Sequence, residues 1–165
     1  MGVYVNSADF VQKFKITSNE FDQGKLDYYI SRYEVISLRE LFGVELYNLW
    51  VTGIGASTAI YTKLRDPFTE QLDCGIILNS RGIKDVLLGL IYFQYKTDGY
   101  TQSTITANVK SKNENAENAN FFTANIQSRY NESIDTYKAI QGYILENLDV
   151  YPTFKGIDKS PLLMF

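Results

Sequence analysis

An all-α fold, a small helical bundle with a long C-terminal helix and an inserted β-hairpin-like arm, is the class that three stretches of this sequence predict. Residues Ile83–Tyr95 are apolar nearly all round, the composition of a helix buried at the centre of a bundle. From Phe122 through Ile126, Tyr130, Ile134, Tyr137, Ile140 and Ile144 to Leu148, apolar residues step by three or four, which predicts one long amphipathic helix. Between these two segments Thr101, Thr104, Thr106 and Val109 favour extended chain. There Ile105, Ala107 and Val109 alternate with Thr106, Asn108 and Lys110, which is the period of a strand.

The remaining elements follow in order. Val3-Tyr4-Val5 reads as extended or irregular, and Ser7 is a candidate N-cap for a short helix. Thr17-Ser18-Asn19-Glu20 offers N-caps for a first long helix in which Leu26, Tyr29, Ile30 and Tyr33 recur at helical spacing. Gly43 suits the residue just past its end, with a second short helix over Val44–Val51. Residues Thr52–Leu78, broken by Gly53, Gly55, Pro67 and Gly75, read mostly as a connection with a turn of helix around Ser57–Leu64. Asn79 or Ser80 caps the central helix, which should stop near Asp98-Gly99. Ser111–Asn120, rich in Asn, Glu and Lys, reads as a polar loop, and Pro152 keeps the last helix from running far past Val150. The chain of 165 residues is read as one domain over 1–165, with the arm at about 100–120 and a tail at about 151–165.

Composition narrows the chemistry. Lys and Arg number 16 against 19 Asp and Glu, so the net charge is −3, the wrong sign for a protein that coats DNA. With no His and Cys74 as the single cysteine, most zinc sites, Ser-His and Cys-His nucleophiles and intrachain disulfides are excluded. The opening residues, with Asn6 and Asp9, do not read as a signal peptide, and Val86–Tyr95 is far short of the ~20 apolar residues that span a bilayer. A soluble protein is expected. Aromatic residues make up 15%, with 13 Tyr; they suit either a core or surfaces buried on assembly.

Two constellations invite a catalytic or ligand reading. Asp66, Glu70 and Asp73 could share one face and hold a hard cation for a metal-dependent hydrolase, although Pro67 and Gly75 favour a loop with solvated carboxylates. Thr52-Gly53-Ile54-Gly55-Ala56-Ser57 faintly resembles a phosphate-binding turn, but lacks the Gly-Lys-Ser/Thr ending. No catalytic residue and no cofactor is assigned. What remains suits assembly: a long amphipathic helix, a polar arm, and an apolar terminus Leu162-Leu163-Met164-Phe165.

In the order of its segments the chain resembles the head–tail connector (adaptor, or head-completion) proteins of tailed bacteriophages, particularly phages of Bacteroides-like hosts. The likeness is carried by Lys25-Leu26-Asp27-Tyr28-Tyr29-Ile30 leading to Leu41-Phe42-Gly43-Val44-Glu45-Leu46-Tyr47. It continues in the arm exit Lys110-Ser111-Lys112-Asn113-Glu114-Asn115-Ala116-Glu117, and in Tyr143, Glu146-Asn147 and Tyr151-Pro152-Thr153-Phe154. The resemblance implies a non-enzymatic virion protein of the neck, made in the host cytoplasm. It would form a homo-oligomeric ring, commonly a dodecamer, that joins the portal to neighbouring neck or tail proteins. DNA would pass through it without sequence-specific binding, and no membrane is involved. The connection at 52–78 is longer than this family's usual counterpart. The residues expected at assembly interfaces are Thr104, Ile105, Ala107, Val109, Lys110 and Lys112 in the arm and Tyr151, Phe154, Leu162, Leu163, Met164 and Phe165 in the tail. Against this stands a bland alternative in which the arm is a loop and the tail folds back on its own domain. A further functional alternative is another phage interaction module, such as a tail-completion or assembly factor.

Overall fold

In a computed structural model that describes residues 4–16, 22–103, 108–110 and 116–162, the chain is mainly helical. Helix α1 spans Gln23–Phe42, α2 Val44–Gly55, α3 Ala59–Arg65, α4 Ile83–Tyr100 and α5 Ala116–Glu146. Two antiparallel hairpins interrupt them: β1 (Phe68–Gln71) with β2 (Ile77–Ser80), and β3 (Thr101–Ser103) with β4 (Asn108–Lys110).

Helix α4 is the centre. Ile83, Val86, Leu87, Leu88, Leu90, Ile91, Tyr92 and Tyr95 are all buried, so between its exposed first turn at Lys84 and its last turns little of the helix is left to solvent. It lies against α5 and α1. At the α4–α5 crossing Gly89 meets Ser133 so closely that a Cβ on Gly89 would fall 1.8 Å from the serine Oγ. Ser133 in turn donates to the carbonyls of Asp85 and Arg129, each at 3.2 Å, so its hydroxyl is satisfied inside the contact. Along α5, Ile126, Ile134, Tyr137, Ile140 and Ile144 are buried, the stripe that the sequence periodicity predicts. Leu148 does not belong to it. The helix ends at Glu146, and the Asn147 side chain donates to the Tyr143 carbonyl at 2.7 Å, leaving Leu148 exposed beyond the last turn.

The N-terminal segment covers a further part of the core. Its two short 3-10 turns, Ser7–Asp9 and Gln12–Phe14, bring Phe10, Phe14 and Ile16 into burial, with the Phe14 and Tyr92 rings 5.9 Å apart. Glu34, buried on α1, accepts the backbone N–H groups of Tyr4 and Val5, both at 3.1 Å. Lys13 bridges Asp85 of α4 at 2.9 Å and Glu132 of α5 at 3.1 Å. Lys84 holds Asp9 at 2.6 Å.

Several boundaries differ from the sequence reading. Helix α1 is capped by Asp22, whose Oδ1 accepts from the Lys25 amide at 2.9 Å; the expected caps at 17–20 lie outside the described residues. Gly43 does separate α1 from α2, with φ of +79°. Helix α2 runs on to Gly55 because Gly53 admits the Tyr61 ring, and the Trp50 indole N–H donates to the Tyr61 carbonyl at 3.2 Å. The stretch read as mostly connection holds α3 and the β1–β2 hairpin. That hairpin is closed by Leu72 and Ile76 around Gly75, which has φ of +84°. Ser80 caps no first turn directly; its hydroxyl accepts from the Gly82 amide at 3.1 Å, and α4 begins at Ile83. Helix α5 begins at Ala116, so part of the expected polar loop is helix.

The tight α4–α5 contact gives a stability prediction. Gly89→Val should force the two helices apart and cost about 1–3 kcal/mol. For a chain of this size each kcal/mol lowers Tm by ~2–4 °C, and thermal unfolding followed by circular dichroism checks the drop. An unchanged Tm would contradict the packing described.

Candidate functional site

The residues expected at assembly surfaces fall into two groups. In the arm, Thr101 pairs with Lys110, Gln102 with Val109 and Ser103 with Asn108, so Val109 and Lys110 are placed in β4 of a hairpin between α4 and α5. Thr104, Ile105, Ala107 and Lys112 lie outside the described residues. Leu163, Met164 and Phe165 do too.

The tail up to Leu162 is built into its own domain, which corrects its expected role as a free contact. Tyr151 is 2% exposed; its hydroxyl donates to the Ile60 carbonyl at 2.7 Å, and its ring stands edge-on to Tyr143. Phe154 is half-buried against the core. Beyond it the chain crosses the end of α1 as a strap. The Lys155 amide donates to the Phe42 carbonyl at 3.1 Å and the Ile157 amide to the Glu40 carbonyl at 2.6 Å. From α5, Tyr137 donates its hydroxyl to the Ile157 carbonyl at 2.6 Å, and Gln141 donates to the carbonyls of Leu41 and Ile157, each at 3.1 Å. Lys159 pairs with Glu40 at 2.8 Å. Asn131 then clamps Leu162 twice, donating to its carbonyl at 2.9 Å and accepting its amide at 2.7 Å.

Two glycines make that approach possible. A Cβ on Gly156 would sit 2.2 Å from the Leu41 carbonyl oxygen, and one on Gly43 2.9 Å from the backbone of Lys155. The strap's holders, Asn131, Gln141 and Gly156, were not singled out from sequence. The only available signal was that Gln141 and Asn131 are amides beside the apolar stripe of α5, a pattern that also fits ordinary surface positions.

Beneath the strap lies a cleft of about 190 Å³ between α1, α4 and α5, walled by Tyr33, Ile36, Leu90, Phe93 and Tyr130. It is smaller than the ~300 Å³ at which small-molecule sites usually begin. The Glu40–Lys159 ion pair on its lining satisfies both charges.

The two catalytic or ligand constellations do not form. Asp66 takes a two-point bond from Arg65, at 2.7 and 2.9 Å, and Glu70 pairs with Lys63 at 3.0 Å. Among the described residues no group of three potential metal ligands gathers. Gly53 and Gly55 lie in the last turn of α2, whose orphan groups are carbonyls, whereas a phosphate cradle needs free N–H groups at a helix start. Cys74 is exposed in the β1–β2 loop.

Buried tyrosines carry the clearest titration shifts. Burial pushes the Tyr137 hydroxyl well above its ordinary value, reinforced by the charges of Glu40 and Asp158. Burial does the same for Tyr151, with Tyr143 and Tyr61 nearby, and for Tyr29, helped by its 2.6 Å bond to Asp98. Compared with known proteins, the chain matches no family model, no curated protein and no solved structure.

The tyrosine shifts set a pH window. Each folded value is raised above the unfolded one of ~10, so the stabilisation is complete below about pH 10 and is lost as pH rises through the folded values. Urea midpoints should hold from neutral pH to about 9 and fall steeply above about 10. Absorbance of tyrosinate should show at least these three tyrosines ionising only as helicity is lost. Reversible ionisation of all 13 tyrosines near pH 10 with helicity intact would contradict this burial.

Proposed function

We propose that this chain is a structural protein of a tailed-bacteriophage neck, a subunit of a ring that joins the portal of the capsid to the tail and surrounds the DNA channel. The order of its segments resembles the connector family, and the observation that carries the reading furthest is the β3–β4 arm. Its strands are three residues each and, among the described residues, pair with one another alone. An isolated two-stranded hairpin is marginal in water, and its outer edges present unpaired backbone groups. Pairing with an arm or strand of the next subunit would satisfy them by β-augmentation. Thr104, Ile105, Ala107, Val109, Lys110 and Lys112 are the contacts proposed there, with Leu163, Met164 and Phe165 beyond the strap as the part of the tail available to a neighbour. The partners are further copies of this chain, the portal and adjoining neck or tail proteins, in the virion. No described helix is long and apolar enough to cross a membrane.

Because α5 begins at Ala116, the arm is removed cleanly by replacing residues 101–112 with a Gly-Ser linker. The variant should keep the parent's helicity and a Tm within about 2 °C, the size of a surface change of ~0.5 kcal/mol. It should fail to form rings with the portal in electron micrographs and native mass measurements, where the parent succeeds. A parent that stays monomeric with the portal and is absent from virions would contradict the neck role, and capture of a host protein instead would favour an assembly or host-directed factor. Normal rings without the arm would show that the contacts lie elsewhere.

A further inference from the structure

Helix α1 carries a row of cations along its exposed side. Lys25, Arg32 and Arg39 recur every seven residues, two helical turns, so they stand in line at ~10.5 Å intervals over ~21 Å. Tyr28 and Ile36 lie between them, 55% and 39% exposed, while Leu26, Ile30, Leu38 and Leu41 face inward. The helix's carboxylates are kept off this face. Glu34 is buried against the amides of Tyr4 and Val5, Glu40 pairs with Lys159, and Asp27 falls about 160° round the helix from Lys25.

None of the three cations has a carboxylate partner among the described residues; aromatic rings hold them instead. Lys25 lies over Tyr95 at 5.4 Å and Tyr29 at 6.0 Å. Arg32 donates to the Tyr28 hydroxyl at 2.7 Å and lies over Tyr33 at 5.8 Å, and Arg39 lies over Tyr47 at 5.5 Å. A ring face positions a cation without neutralising it, unlike a carboxylate. Helix-dipole complementarity explains Arg39 in the last turn but opposes Lys25 in the first, where the acid that the dipole favours is Asp22 at the N-cap, bonded to the Lys25 amide. In a chain of net charge −3 this is a pre-positioned, unneutralised basic row.

We infer that this outer face of α1 is a contact surface for the phosphate backbone of nucleic acid. A duplex carries a charge every ~1.7 Å of its axis, both strands counted, so cations spread over ~21 Å lie close to phosphates whatever the base sequence. An acidic protein surface would need carboxylates placed at the same two-turn spacing. Three contacts give a weak, sequence-independent and salt-sensitive interaction, suited to DNA that slides past rather than stays. That the face lines a DNA channel rests on the neck reading; the binding itself does not.

The test is fluorescence anisotropy of a labelled mixed-sequence duplex with the full chain. Three phosphates predict a salt slope of about −2.7, so affinity should fall about 40-fold between about 50 and 200 mM salt. The triple variant K25Q/R32Q/R39Q, with circular dichroism unchanged, should bind at least about 10-fold more weakly at low salt and lose most of the slope. K15Q/K138Q, which removes two exposed lysines elsewhere, should change neither. No binding at low salt, an unaltered triple variant, or equal loss in both variants overturns the inference. So does competition by polyglutamate as effective, charge for charge, as unlabelled duplex, which would assign the face to an acidic protein. Ring formation is read separately by native mass, so failure of the neck role and failure of this contact are distinguishable.

Discussion

Because α4 is apolar on nearly every side, it is stable only where other elements screen all of it from water. Helices α1 and α5 cover two sides, and the N-terminal segment, through Phe10 and Phe14, covers another. Each cover is fixed by polar bonds that would be costly to leave open in a buried place. Glu34 takes two amides of the N-terminal segment, Ser133 bonds carbonyls within the α4–α5 crossing, and Gln141 bonds carbonyls of both α1 and the strap. Apolar burial supplies the driving force, and these few groups decide which arrangement it favours.

The same constraint divides the chain's outlying segments by role. The strap from Tyr151 to Leu162 is held by α1 and α5 at Lys155, Ile157, Lys159 and Leu162, and Gly43 and Gly156 let backbone meet backbone. It is part of the domain. The β3–β4 arm is a hairpin of two three-residue strands, too short to stand well alone. The proposed assembly function therefore concentrates on the arm, while the outward face of α1 remains free for a soluble, charged partner.

The central helix and the long C-terminal helix were legible because their apolar residues repeat over many turns, as from Ile126 to Ile144. Gly43 was legible because its positive φ is a local requirement that few residues meet. The β1–β2 hairpin was not: its burial alternates, but the more buried positions, Phe68, Glu70, Leu78 and Ser80, include a carboxylate and a hydroxyl, so no apolar alternation marks it, and Gly75 alone hints at its turn. The extension of α2 past Gly53 was hidden because glycine reads as a breaker, although here it makes room for Tyr61. Composition left two readings of the tail open, and as far as Leu162 it packs on its own domain. Apolar residues that dock on a neighbour and those that dock on their own domain have the same composition, and it is the bonds to Asn131, Gln141 and Tyr137 on α5 and to Glu40 and Phe42 on α1 that decide between them. The basic row on α1 could have been found from its seven-residue spacing, but that it has no carboxylate partner among the described residues is visible only in three dimensions.

The division between strap and arm is tested most directly by amide hydrogen exchange on the full chain, free and with the portal. The account predicts that strap amides such as Lys155, Ile157 and Leu162 are already protected in the free chain and change little, whereas the arm exchanges rapidly when free and gains protection in the complex. Rapid exchange of the strap in the free chain, with protection appearing there and not in the arm on assembly, would contradict it.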